Sequence, residues 1–301
     1  MKPDVIISLT SYPKRMPTIC QLLEPLFHQS VPADRILLWL VREEFESAGM
    51  DLPGELLELE RTEPSFEIRW VEGENLRPNN KWLPTFTAYP DALIILIDDD
   101  LVYSCDLVRR LLDEHYRHPN AVIASRSHLV TLKDGDIAPY PTWEFEQQRF
   151  VDTPRYDLIA TPGAGTLFPP HCLPDGAFDQ EDIKRYAIVA DDLWLMAWTL
   201  MANRPVVATD KPGLYYIDNT QDVALCNVNL QQGAHNDHLR ELYDRFPAFH
   251  DRLLAEVQQR MAADAAAEAA AHPVPAPQPK RSLPVRLWHK CGRFYRFLRN
   301  I

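Results

Sequence analysis

The chain has 301 residues, 46% of them hydrophobic, and a net charge of −12, enough for one large α/β domain or two smaller ones with a sizeable core. Residues 280–301 hold seven Lys/Arg and no acid, so residues 1–279 carry 24 basic against 43 acidic side chains, a charge of −19. An acidic body of this kind argues against nucleic acid as its partner, and no stretch approaches the length of a membrane-spanning helix. Met1-Lys2-Pro3-Asp4 leads into an apolar run of only strand length, which does not read as a secretory leader. Cys20, Cys105, Cys172, Cys226 and Cys291 are scattered without a CxxC pair, the pattern expected of reduced thiols in a cytosolic protein.

In chain order, Val5-Ile6-Ile7-Ser8-Leu9 predicts a first strand, residues 10–15 the loop leaving it, and residues 17–29 a helix. Ile36-Leu37-Leu38-Trp39-Leu40-Val41 is a second buried strand and Glu67-Ile68-Arg69-Trp70-Val71 a third. A helix around residues 81–89 then leads to Leu93-Ile94-Ile95-Leu96-Ile97, five consecutive aliphatics that suit a strand covered on both faces. The alternation predicts a doubly wound, mostly parallel sheet flanked by helices. Residues 121–125 are a further strand, residues 131–160 an irregular aromatic-rich insertion beside the site, residues 193–201 a buried helix and residues 205–208 a short strand. A helix over residues 241–261 follows, then an Ala/Pro-rich linker over residues 262–279.

The last segment is a basic amphipathic helix. Leu287, Cys291, Phe294, Tyr295, Leu298 and Ile301 share one helical face, while Arg286, Lys290, Arg293, Arg296 and Arg299 take the rest. Such a helix suits an anionic membrane surface; docking on the acidic body is the other reading.

The strongest chemical signal is Asp98-Asp99-Asp100, directly after the aliphatic run. Ligands of open α/β sheets bind at the carboxyl ends of strands. Three adjacent carboxylates repel unless a cation neutralises them, which points to Mn²⁺ or Mg²⁺ shared with a phosphorylated ligand; a polar turn capping a helix near Asp106 is the plainer explanation. Asp191-Asp192 opens the apolar helix, either as capping residues or as a carboxylate able to accept a proton. Between these clusters, Gly163-Ala164-Gly165 permits close backbone approach to a ligand, a strained turn or an ordinary loop. His235 and His238 form a candidate metal or phosphate pair. In the first loop, Thr10, Tyr12, Lys14 and Arg15 suit a nucleotide base and its phosphates, or merely a surface loop, and Lys81 adds charge near a diphosphate.

Taken in order over roughly residues 4–240, Ser8-Leu9-Thr10-Ser11-Tyr12, Leu96-Ile97-Asp98-Asp99-Asp100, Gly163-Ala164-Gly165 and Asp191-Asp192-Leu193-Trp194 resemble the GT-A-type nucleotide-sugar glycosyltransferases. They are closest in kind to the bacterial family-2-like enzymes of surface polysaccharide (lipopolysaccharide or capsule) synthesis. The resemblance implies a GT-A catalytic domain over residues 1–261 and a hexosyltransferase-type activity. Its DxD motif would be Asp98–Asp100, with Asp98 near the ribose or a metal water and Asp100 on the metal. Thr10 and Tyr12 would hold the base, with Arg15, Lys81, Asp99, Gly163 and Gly165 also lining the nucleotide sugar. Asp192 would be the general base of an inverting displacement, Asp191 its neighbour, and His235, or failing it His238, a further metal ligand. The implied partners are a nucleoside-diphosphate sugar, a glycan or lipid-linked acceptor, and the inner face of the cell membrane through residues 280–301. The alternatives are a sugar-phosphate nucleotidyltransferase, against which the glycine-free first loop counts, and a non-catalytic membrane-tethered nucleotide- or carbohydrate-binding protein.

Overall fold

The aliphatic runs become the centre of a sheet. The computed structural model describes residues 2–210, 214–217 and 234–271. Its strands are β1 (Val5–Ser11), β2 (Arg35–Val41), β3 (Phe66–Val71), β4 (Leu93–Ile97), β5 (Leu101–Tyr103), β6 (Val122–Ala124) and β7 (Ser127–Leu129). Beyond them lie β8 (Leu132–Lys133), β9 (Asp136–Ile137), β10 (Leu158–Ala160), β11 (Ala164–Phe168), β12 (Val206–Ala208) and β13 (Leu214–Tyr216). Seven form one sheet in the order β12-β6-β11-β4-β1-β2-β3. β1 pairs in parallel with β2 and β4, β2 with β3, and β6 with β12. β11 runs antiparallel to both β4 and β6.

The helices are α1 (Ile19–Phe27), α2 (Arg42–Ala48), α3 (Gly54–Thr62), α4 (Leu83–Ala88), α5 (Leu107–Arg117), α6 (Gln180–Tyr186), α7 (Asp191–Met201), α8 (Ala234–Arg245) and α9 (Pro247–Ala271). They cover both faces. Ile6, Leu37, Ile94, Leu96 and Phe168 point to one core with Trp82 and Trp194, while Ile7, Leu9, Leu38, Ile95 and Ile97 point to the other with Leu22 and Leu111. Strand residues alternate between faces, and both sets are apolar, hence the uninterrupted hydrophobic runs.

The chain winds outward from β1 in two directions, to β2 and β3 on one side and to β4 on the other. That reversal creates a crevice at the carboxyl ends of β1 and β4. The register Ser8↔Leu96 brings residue 11 to the level of residue 99, so the first loop and the aspartate triplet emerge side by side.

Two regions depart from the sequence reading. Residues 164–168 are a fully buried strand rather than a loop. A bulge between Ala164 and Thr166 falls at Gly165, whose φ is +89°, a conformation that glycine enters without steric penalty. At the C-terminal side, the expected helix over residues 241–261 is two helices. They break at Phe246 because Pro247 can start a helix but cannot continue one. The second continues to Ala271, so residues 262–271 are helical rather than linker, as alanine's high helix propensity favours. Residues Met1–Met261 form one compact unit. Residues 272–301, including the expected amphipathic helix over residues 280–301, lie outside the described residues. No helix among the described residues is long and apolar enough to cross a membrane. Cys20, Cys105 and Cys172 are free thiols.

Candidate active site

The crevice at the β1/β4 switch opens into a cavity of about 840 Å³. Thr10, Tyr12, Arg15, Lys81, Asp98, Asp99, Asp100, Gly163, Asp191, Asp192 and His235 all line it. Gly165 does not. A Cβ on Gly165 would stand 2.7 Å from Leu107 Cδ1, so this glycine serves the bulge and the packing beneath the site rather than a ligand.

The aspartate triplet is held from three directions. Ser11 Oγ donates to Asp99 Oδ2 at 2.6 Å. Arg15, 5% exposed, lies between Asp99 (Nε–Oδ1 3.8 Å) and Asp100 (Nη2–Oδ2 3.5 Å). Its Nε and Nη1 are buried without a hydrogen-bond partner. Burial, reinforced by Asp100 and Asp98 and opposed by Ser11 and Arg15, pushes the Asp99 carboxyl up to about 7. Asp98 receives Lys81 Nζ at 2.6 Å, and its N–H donates to Gly163 O at 3.1 Å. Tyr103 Oη accepts from the same N–H at 2.8 Å and donates to Gly163 O. A Cβ on Gly163 would fall 1.6 Å from Asp98 Oδ2. The group that closely approaches this glycine is the carboxylate of Asp98.

Lys81 is not a solvent-facing cation. It is 2% exposed and bridges Asp98 to Asp191, 3.0 Å from Asp191 Oδ2. Burial opposes its charge, but Asp191 and Asp98 outweigh that and raise its pKa. Ser8 Oγ donates to the Lys81 carbonyl at 2.6 Å, and Asn79 Nδ2 donates to the Ala187 carbonyl at 2.9 Å. The turn before α4 thus ties β1 to the segment preceding α7.

At the start of α7 the two aspartates face the cavity, and the N-cap, Ala190, makes no side-chain cap bond. Asp192 Oδ1 accepts from Leu193 N–H at 2.9 Å, and Oδ2 lies 3.4 Å from His235 Nε2. Burial works against ionising Asp192, yet His235, the Leu193 N–H and His128 together hold its pKa below the usual carboxylate value. His235 is likewise buried, but Asp192 and then Asp191 raise its pKa. His235 pairs with Asp192, and its ring packs 4.3 Å from Tyr140 in the wall of the same cavity. His238 lies 3.9 Å from Glu241 on its own helix and is not in the cavity wall.

Among the described residues no group of three or more His, Cys, Asp or Glu converges as a ready-made metal cage. Mg²⁺ and Mn²⁺ at nucleotide sites use one or two carboxylates, with phosphate and water completing the shell. Asp98 and Asp100 fit that smaller role: two hard oxygen donors at the crevice, each now neutralised by a cationic side chain.

No protein-family model matches the sequence, and no curated protein matches it. Solved structures do. The mannosyltransferase PcManGT from Pyrobaculum calidifontis, solved in complex with GDP-Man and Mn²⁺, aligns over 91% of this chain and 77% of its own, with a TM-score of 0.54 at 17% identity. S. aureus TarS 1-349 in complex with UDP aligns over 81% of this chain and 71% of its own, with a TM-score of 0.45 at 16% identity. The fold is a GT-A-type α/β fold.

Several lining residues escaped the sequence reading. Arg126 and His128 follow β6 at the same edge of the sheet; the rule that picked out Asp98, polar residues just beyond a buried strand, would have found them. Tyr140, Phe145 and Glu146 come from the aromatic-rich insertion. Arg126 Nε donates to Thr161 Oγ1 at 2.8 Å and Nη1 to Tyr216 Oη at 3.2 Å.

Proposed function

We propose that this chain is a metal-dependent glycosyltransferase, moving a sugar from a nucleoside-diphosphate sugar to a hydroxyl of a glycan or lipid-linked acceptor. The observation that carries this reading is the meeting, in one cavity at the sheet's switch point, of the loop after β1, the Asp98–Asp100 cluster and the Asp191–Asp192 pair. The fold shared with a mannosyltransferase solved with GDP-Man and Mn²⁺ supports it.

Each side chain then has a task. Tyr12 offers an aromatic face for the base. Arg15, with two buried nitrogens lacking hydrogen-bond partners, suits phosphate oxygens, since guanidinium donors match that geometry. Asp98 and Asp100 would hold Mn²⁺ or Mg²⁺, which when bound supplies Lewis-acid stabilisation of the departing diphosphate. Asp192, kept ionised by His235, accepts the proton of the acceptor hydroxyl as that oxygen attacks the anomeric carbon. Proton transfer of this kind is worth roughly 10²–10⁴-fold. A single displacement inverts the anomeric centre. Lys81 keeps Asp98 and Asp191 at fixed separation and so joins the donor and acceptor sides.

The basic segment over residues 280–301 supports a station on the anionic inner face of the membrane, within reach of lipid-linked acceptors. Incubating the protein with a panel of nucleotide sugars, with and without Mn²⁺, and measuring nucleoside-diphosphate release tests the central reading. Metal-dependent release from one donor is expected. Pyrophosphate release from a triphosphate with a sugar phosphate would instead make it a nucleotidyltransferase, and binding without turnover a non-catalytic receptor. Deleting residues 280–301 should abolish sedimentation with anionic vesicles; undiminished sedimentation would remove the membrane proposal.

A further inference from the structure

We propose that His128 positions the acceptor: its Nε2–H donates a hydrogen bond to an oxygen of a neutral pyranoside lying against Phe145, aligning the neighbouring hydroxyl with Asp192. This rests on the transferase reading above.

The tautomer follows from the backbone. His128 Nδ1 accepts from the Glu146 N–H at 3.0 Å, so the proton of the neutral ring is carried by Nε2. Protonating both nitrogens would set one N–H against another. Burial, with help from Arg126 and against the pull of Asp192 and the Ser127 carbonyl, pushes the His128 pKa down to about 4. The ring is therefore a neutral donor at physiological pH.

Its orientation is enforced. Glu146 has φ +48°, left-handed backbone that non-glycine residues enter rarely and keep only when the surroundings impose it. Gln147 imposes it here, donating through N–H to Ser127 O at 3.1 Å and through Nε2 to Ser127 Oγ at 3.0 Å. Phe145 meets the His128 ring edge-on at 4.6 Å and stays 39% exposed, an apolar face suited to the C–H face of a sugar. His128, Phe145 and Asp192 line the same cavity. A neutral donor beside carboxylates favours an uncharged acceptor.

Two substitutions separate hydrogen bonding to the acceptor from support of the loop. Asparagine places an oxygen near the position of Nδ1 and can still take the Glu146 N–H, whereas glutamine reaches the position of Nε2. With the donor identified by the panel, octyl glycosides of glucose, galactose, mannose and N-acetylglucosamine serve as acceptor probes. His128→Asn should lower kcat/KM for the glycoside by roughly ten- to a hundred-fold, the loss expected of one hydrogen bond in a site. The donor KM and the affinity for the nucleoside diphosphate should hold, and His128→Gln should recover part of the loss. The reverse ranking, with Asn near wild type and Gln impaired, would make His128 a loop support and overturn the proposal. So would a parallel fall in donor and acceptor parameters, unchanged transfer in both variants, or a wild type that hydrolyses its donor yet is stimulated by no glycoside. A wild type that turns over no nucleotide sugar fails at the earlier step, the transferase reading, and takes this proposal with it.

Discussion

The side of the cavity formed by β1 and β4 rests on continuous strand pairing, whereas the opposite side is joined by short main-chain bridges and individual side-chain contacts. On the first, six parallel partners join β1 to β2 and four join β1 to β4, and the loop and aspartates simply continue those strands. On the second, single contacts join separate segments: Asn79 to Ala187 before α7, His128 to Glu146 and Asn236 to Tyr140 of the insertion, and Asp192 to His235 of α8. The half proposed to bind the donor is therefore carried by the sheet itself. The half that would receive the acceptor can be altered one contact at a time, which is where a shared scaffold can vary its specificity.

The largest expected effect is confined to the second half. Asp192→Asn should lower sugar transfer by about 10²–10⁴-fold while the affinity for the nucleoside diphosphate, read by calorimetric titration, is retained. Equal loss of both would mean the two halves are not separable in this way. Lys81→Met tests the link between them. Removing one member of a buried charge cluster costs about 3–5 kcal/mol, a drop in Tm of roughly 6–20 °C for a domain of this size. Thermal unfolding should show that loss, and adding Asp191→Asn should return part of it. A variant with unchanged Tm would show that the halves are joined elsewhere.

The same division explains what could be read from the sequence. The β1–β4 half was legible because a strand buried on both faces leaves an uninterrupted aliphatic run, and Leu93–Ile97 has the same bounds in the structure. β11 was not legible. Ala164-Gly165-Thr166 is too small and too glycine-rich to announce a strand, and its conformation is imposed by β4 and β6 on either side. Lys81 lines the cavity as expected of a charge near the site, but sequence shows a charge and not its burial between Asp98 and Asp191. The pairing of His235 with Asp192 was hidden because the two are 43 residues apart and nothing local links them. Ala-rich composition after Met261 read as linker, yet residues 262–271 continue α9, where alanine's helix propensity outweighs the absence of an apolar stripe.

A smaller effect is expected at Arg15, on the strand-supported side. Its guanidinium is buried, and Nε and Nη1 lack hydrogen-bond partners. Charged hydrogen bonds to phosphate would satisfy them, at roughly 1.5–3 kcal/mol for the contact. Arg15→Met should weaken nucleoside-diphosphate binding by about ten- to a hundred-fold, with β1 and β4 intact by circular dichroism. Undiminished affinity would remove Arg15 from the donor site and leave its orphaned nitrogens to be explained by the aspartates alone.

The smallest expected effect is a pH-dependent one at the Asp192–His235 pair. The folded pKa of His235 is raised, so its contribution to stability is complete below the unfolded value, about 6.5, and is lost as pH climbs through the folded pKa. The folded pKa of Asp192 is depressed, so its contribution is present above about 3.9, the unfolded value, and is lost as pH falls through the folded one. The pair is thus worth most between about pH 4 and 6.5. His235→Gln should be less stable than wild type by about 1–2 kcal/mol in that window, with the gap narrowing toward pH 9. The acid limb of the transfer rate should move upward as well, since Asp192 then keeps its burial without its cation. A gap in Tm that stays constant from pH 5 to pH 9 would show that His235 acts through packing on Tyr140 and not through charge, and the second half of the cavity would then be held by shape rather than by ion pairing.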